Sequence, residues 1–157
     1  MNLNIIRKKY KALYGEEPAS AEDINRIEIS LGINLPNDFR RITEFWRGGI
    51  IGDIPMLEIA SGATENVLTE TLRLRDSISL NTGCLVLSDL SESIILLVCS
   101  EGNMYGKVLW FDANILLSQA SMDFSDVSRA EKDWGSFSEY FLYLLDEEYR
   151  NRGVLNE

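Results

Sequence analysis

The sequence predicts an α+β fold: one mainly antiparallel β-sheet with helices packed on it. Two observations carry this expectation. In the first third of the 157-residue chain, apolar residues recur at spacings of three and four, as they do on amphipathic helices. From Ile50 onward they come instead in short runs rich in Ile, Val and Leu, punctuated by Gly, Asp, Asn and Ser. Those runs follow one another mostly through short turns, which favours antiparallel neighbours over parallel βαβ units. At this length, with 45 % hydrophobic residues, a single domain over residues 1–157 is expected, large enough to fold without a metal or disulfide.

Taken in order, Leu3, Ile6, Tyr10 and Leu13 form the stripe of a helix over 3–14. Arg7, Lys8, Lys9 and Lys11 lie off that stripe and read as a solvated face, since the aromatic interleaving of a nucleic-acid site is missing. Residues 15–19 make a turn. Ser20 and Asp23 fit a capping box loosely and open a helix that carries Ile24, Ile27 and Leu31 inward and stops at Gly32. Pro36 holds Leu35 extended, so a new helix is expected from about Pro36 to Asp38. Phe39, Ile42, Phe45 and Trp46 would share one wide apolar face of it, up to the stop at Gly48-Gly49.

Residues 50–59 read as two short strands, with Gly52 and Pro55 marking a turn or an edge. Thr64 is expected to cap a short helix with Val67, Leu68, Leu72 and Leu74 inward. Residues 84–88, 93–99 and 107–111 read as strands of the main sheet, joined by a turn at 89–92 and a hairpin loop at 101–103. Residues 112–135 read as a polar loop with a strand near 126–130. Ser136 and Glu139 form a clear capping box, and the helix behind them sets Phe137, Tyr140, Phe141, Leu144 and Leu145 on one face. Asp146, Glu147 and Glu148 near its end oppose the helix dipole, so either the helix continues past Arg150 and Arg152 or the acids serve something else.

The run from Ile27 to Gly32, then Leu35 to Arg40, then Phe45 to Gly49 resembles the signature of the SMI1/KNR4 superfamily, also called SUKH. That signature reads E-x-x-L-G-x-x-L-P-x-D-(F or Y)-R, followed by a bulky helix and a turn of small residues. Asp89 with the 93–99 strand, Gly106 to Val108, and the run from Trp134 to Phe141 resemble later segments of the family, so the likeness covers most of the chain. The resemblance implies a single SMI1/KNR4-like domain. Many bacterial members are immunity proteins that bind and block a toxin, often a nuclease, and fungal members are implicated in cell-wall signalling. It implies a class of function and leaves the target open.

Chemistry is sparse. The chain has no histidine, and so lacks the usual general base and metal ligand. No phosphate loop, CxxC, G-x-S-x-G or HExxH is present. Loop acids such as Asp53, Asp89, Glu92 and Asp112 could form a hydrolytic pair, but 25 acids in 157 residues make loop pairs inevitable. No enzyme, cofactor or metal site is therefore expected. Cys84 and Cys99 read as buried reduced thiols. Without a signal peptide or membrane span, the expected location is cytoplasmic.

Net charge is −10 and unevenly spread: residues 1–60 hold 8 basic and 9 acidic residues, residues 61–157 hold 7 and 16. Such a balance disfavours nucleic acid and anionic membranes and suits a basic protein partner, although it also serves solubility. The favoured reading is a non-enzymatic protein-binding domain, a cytosolic immunity protein that neutralises a cognate toxin, a basic nuclease being the fitting class. The alternative is a regulatory protein–protein interaction module not linked to a toxin. The 89–92 turn and the 112–126 loop are expected at one end of the sheet. That makes Asp89, Glu92, Asp112, Asp123 and Asp126 the candidate partner-binding acids, with Trp134 nearby as an aromatic anchor. Trp46 and Trp110 read as core.

Overall fold

The computed structural model describes residues 2–119 and 130–153. Three helices come first. α1 (Leu3–Tyr14) is capped by the Asn2 side chain and buries Ile6 and Tyr10. α2 (Ala21–Leu31) starts at Ser20, whose hydroxyl accepts from the Asp23 amide at 3.0 Å, and ends at left-handed Gly32. α3 (Asn37–Ile42) buries Phe39 and Ile42. It stops short of the expected span. The Glu44 and Phe45 amides donate back three residues, to Arg41 and Ile42, so the chain tightens into a turn. Phe45 and Trp46 are nevertheless buried.

The hairpin β1 (Gly49–Ile51) and β2 (Ile54–Met56) turns on Gly52 and Asp53, both at positive φ, as a two-residue hairpin loop of the type I′ kind requires. It forms its own two-stranded sheet, separate from the main one. Gly52 meets the last helix closely: a Cβ there would lie 2.6 Å from the Leu144 carbonyl oxygen. α4 (Val67–Ile78) is capped by Asn66, which accepts from the Thr69 amide at 2.9 Å, and not by Thr64. Thr71 takes an inward position on α4, and Leu72 is 44 % exposed, contrary to expectation.

β3 (Cys84–Asp89), β4 (Ser93–Val98), β5 (Val108–Asp112) and, beyond a short helix α5 (Ala113–Gln119), β6 (Lys132–Trp134) form the antiparallel main sheet in the order β3-β4-β5-β6. The strand expected near 126–130 thus lies at 132–134 among the described residues, and positions 126–129 fall outside them. α5 occupies part of what read as a polar loop. α6 (Phe137–Asn151) closes the described chain, its cap formed by Ser136 as expected.

Both faces of the sheet are covered, which is why its strands read as continuous apolar runs. Leu85, Leu87, Ile95, Leu97 and Cys99 pack toward the helices α1, α2, α3 and α6. Cys84, Val86, Ile94, Leu96 and Phe111 pack on the opposite face with Leu74 of α4 and Leu116 of α5. The two cysteines are free and lie in these opposite layers. Phe39, Trp46 and Phe137 to Phe141 interlock as tilted and edge-on rings 4.8–5.9 Å apart, joining α3 to α6.

The outer edge of β3 is sealed. Its Val86 amide donates to Thr71 Oγ1 at 3.0 Å, and the Leu87 carbonyl, at a bulge, accepts from the Leu57 amide at 2.9 Å. An edge so occupied offers little template for another strand.

Candidate functional site

Strand register decides which acids meet. Asp89 pairs with Ile94 and Asp112 with Ser93, so both stand at the end of the sheet where β4 begins. Glu92 lies in the turn between, and its carbonyl accepts from the Ala113 amide at 2.9 Å. Asp89 and Asp112, with one strand between them, are about 10 Å apart at the usual strand spacing. Paired residues share a face, so their side chains leave opposite faces of the sheet at this common end. Asp123 and Asp126 lie outside the described residues.

Trp134 is elsewhere. It pairs with Val108, four residues back along β5 from Asp112, a run of about 13 Å at the usual rise per residue. Its half-buried ring packs on Tyr140 at 4.7 Å and Tyr143 at 5.4 Å. The expected closeness of Trp134 to the acidic end is therefore corrected: β6 runs antiparallel to β5 and carries it away.

Internal partners sort the acids of the second half. Asp146 meets Lys9 at 3.0 Å, Glu148 accepts from the Tyr14 hydroxyl at 2.6 Å, Glu147 pairs with Arg150, and Asp133 lies 3.6 Å from Lys107. These explain the acids on the last helix, which also runs to Asn151. Asp89 pairs with Arg73 at 3.0 Å, and Arg73 also holds Glu70, whose hydrogen bond chiefly raises the guanidinium's proton affinity. Asp112 accepts from the Asn114 amide at 2.8 Å, at the start of α5. Glu92 has no ion pair among the described residues.

Beside Asp89 the surface opens into a groove of about 520 Å³. One wall is the outer face of the hairpin, where Ile50 and Pro55 sit directly opposite each other and Ile50 is 64 % exposed. Leu57 lies along it, and Glu58, Glu65 and Asp89 bring three carboxylates to its lining. Neither Glu58 nor Glu65 has an ion pair among the described residues. The 58–66 loop that carries them is firmly held. Ser61 Oγ donates to Asp23 at 2.9 Å, Asn66 donates to the Ala63 carbonyl at 2.9 Å, and the Val67 amide donates to the Glu58 carbonyl at 2.9 Å. The sequence hinted at this place only through Pro55, a residue confined to edges within sheets. Glu58 and Glu65 reach it by tertiary folding.

The signature residues do structural work. Glu28 accepts from the Leu35 amide at 2.9 Å and pairs with Arg40. Asp38 accepts from the Phe39 amide and, across 100 residues, from the Ser138 amide, both at 2.8 Å. One carboxylate thus serves the first turns of α3 and α6, where orphan amides and the helix dipole favour it.

Burial pushes both cysteine thiols well above their usual value, which removes them as thiolate nucleophiles. Among the described residues no group of three Cys, Asp or Glu side chains is placed to hold a metal ion. No helix among them is long and apolar enough to cross a membrane.

These features define the class: an α+β domain with a clad sheet, a fold-holding acidic signature and an acidic, partly apolar groove outside. The chain belongs to the SMI1-KNR4 family, since the family model SUKH_5, described as SMI1-KNR4 cell-wall, matches residues 3–146. Membership supports a protein-interaction or immunity-type role at the level of the family. No curated protein matches the chain.

Proposed function

We propose that the chain is a non-enzymatic immunity-type protein that binds and neutralises a basic toxin domain, in the cytoplasm and without a cofactor. The observation that supports this most directly is the gathering of Asp89, Glu92 and Asp112 at one end of the sheet, where Asp89 also lines the groove with Glu58 and Glu65. A nuclease must be basic to hold its substrate, so an acidic surface speeds encounter and covers the cationic cleft. Blocking requires no catalytic group of the inhibitor.

The test begins with the product of the gene beside this one, because an immunity gene adjoins its toxin gene. The two proteins are mixed and association is followed by surface-based kinetics at several salt concentrations. Reversal of Asp89, Glu92 and Asp112 to Lys should lower kon and flatten its dependence on salt, while circular dichroism stays native. Reversal of Glu16, Glu17 and Glu22, on the helical half, should do far less. Equal effects of the two sets would leave net charge as the sole factor and refute the localised surface. No binding to the neighbouring product, with docking onto an unrelated host protein instead, would favour the regulatory-module reading.

A further inference from the structure

We infer that the groove between the β1–β2 hairpin and the 58–66 loop is the specificity pocket of the partner surface, and that it takes an Arg or Lys side chain flanked by a large apolar residue. This rests on the protein-binding reading and says which chemistry the partner presents. The inference joins two independent features. Ile50 and Pro55 form an apolar cross-strand pair turned to solvent on the hairpin face away from the core, while their neighbours Ile51 and Met56 are buried. A large apolar side chain left 64 % exposed has most of its hydrophobic stabilisation still to gain, and a partner that covers it would supply that. Across the groove, Glu58 and Glu65 lack cationic partners among the described residues, and Arg73 is engaged by Glu70 and Asp89. The field inside is negative, so an acidic or purely apolar occupant is disfavoured.

A volume of about 520 Å³ lies within the usual range of small-ligand and anchor-residue pockets. The walls are also preorganised. Gly48 carries the chain past the loop so closely that a Cβ would lie 2.7 Å from the Glu58 Cα, and Asn66 is buried with its amide spent inside the loop. A pocket fixed before contact loses little entropy on binding. An apolar stem beside a cationic head matches a wall of Ile50, Pro55 and Leu57 facing carboxylates, because long basic side chains lay their methylenes on apolar surface.

The test uses the full chain and a synthetic peptide containing Leu-Arg-Leu, with two controls: Glu in place of Arg, and Ala in place of both Leu residues. Binding is followed by amide chemical-shift perturbation. The Leu-Arg-Leu peptide should shift Gly49, Ile50, Leu57 and Thr64, and the Glu version should shift none of them. Ile50→Ser and Glu65→Gln, both at exposed positions, should each weaken the peptide by about tenfold with native spectra elsewhere. Shifts centred elsewhere, or equal binding by the Glu peptide or by Ile50→Ser, would overturn the pocket. The outcome is separable from that of the proposed function. Loss of peptide binding with an intact effect of the Asp89, Glu92 and Asp112 reversals removes only the pocket. A pocket that binds the peptide, in a protein that ignores the neighbouring gene product, removes only the immunity reading.

Discussion

Replacement of Trp46 by Ala probes whether the family signature holds the core or meets a partner. Trp46 is 1 % exposed and its ring lies 5.4 Å from Phe141 and 5.9 Å from Phe137. An indole buries about 150–250 Å², so transfer alone is worth roughly 4–6 kcal/mol. Against this, Trp46 Nε1 finds no acceptor among the described residues, which costs about 1–3 kcal/mol in the native state. The difference is about 1–5 kcal/mol, and the cavity left behind adds to it, so Trp46→Ala should cost about 3–5 kcal/mol, the usual range for a large ring truncated in a core. In a chain of this size that lowers Tm by roughly 6–20 °C. Trp46→Phe keeps a ring against α6 and removes the orphan donor, so it should cost less than half as much. Urea and thermal melts followed by circular dichroism measure both variants, with the m-value confirming that the same surface unfolds. Trp46→Ala that melts like the native protein but fails to bind a partner would refute the core assignment. Trp46→Phe as damaging as Trp46→Ala would show that the indole N–H has an acceptor after all.

Gly52→Ala should destabilise by about 1–3 kcal/mol in urea melts, because the residue sits at φ +57 and its new Cβ would press on the Leu144 carbonyl. Asp38→Ala should lose about 1–3 kcal/mol, since two helix-start amides lose their acceptor together, and Asp38→Asn should recover part of it. Alkali should unfold the protein. Burial raises the Tyr10 hydroxyl from 10.0 to about 12, and burial and then the Glu148 hydrogen bond raise Tyr14 further. A folded pKa above the unfolded one gives stability that is complete below pH 10 and falls as pH rises toward 12. The phenolate absorbance of Tyr10 and Tyr14, read as the difference from Tyr10→Phe and Tyr14→Phe variants, should accordingly appear late and together with loss of the circular dichroism signal. Phenolate forming at both residues near pH 10 in folded protein would refute their burial.

Much of the fold was legible because local chemistry and tertiary packing agree. Ser20, Gly32 and Ser136 act where their side chains or lack of one predict, and the apolar runs 84–88 and 93–99 are strands clad on both sides. The misses have a common cause in distances the sequence does not carry. Phe45 and Trp46 fit helical spacing, yet a tightened turn delivers them to the same core. Thr71 replaced Leu72 as an inward residue because β3 needed a hydroxyl at its edge, a demand visible only once Val86 lies beside α4. Counting turns was enough to bring Asp89 and Asp112 to one end of the sheet. It could not place Trp134, whose strand begins after an intervening helix, or Glu58 and Glu65, which only the hairpin's docking brings beside Asp89.

The interlocked rings of α3 and α6 also set a clock for synthesis. Trp46 leaves the ribosome 91 residues before Phe137, an interval of roughly 5–18 s at ordinary elongation rates. Throughout it Phe39, Phe45 and Trp46 lack the helix that covers them, and Asp38 lacks one of its two amides. The nascent chain thus displays its stickiest surface for seconds, and its completion depends on contacts between distant segments, the slow kind. Chaperone demand during translation, rather than stability after it, is where a shortened α6 would first be felt.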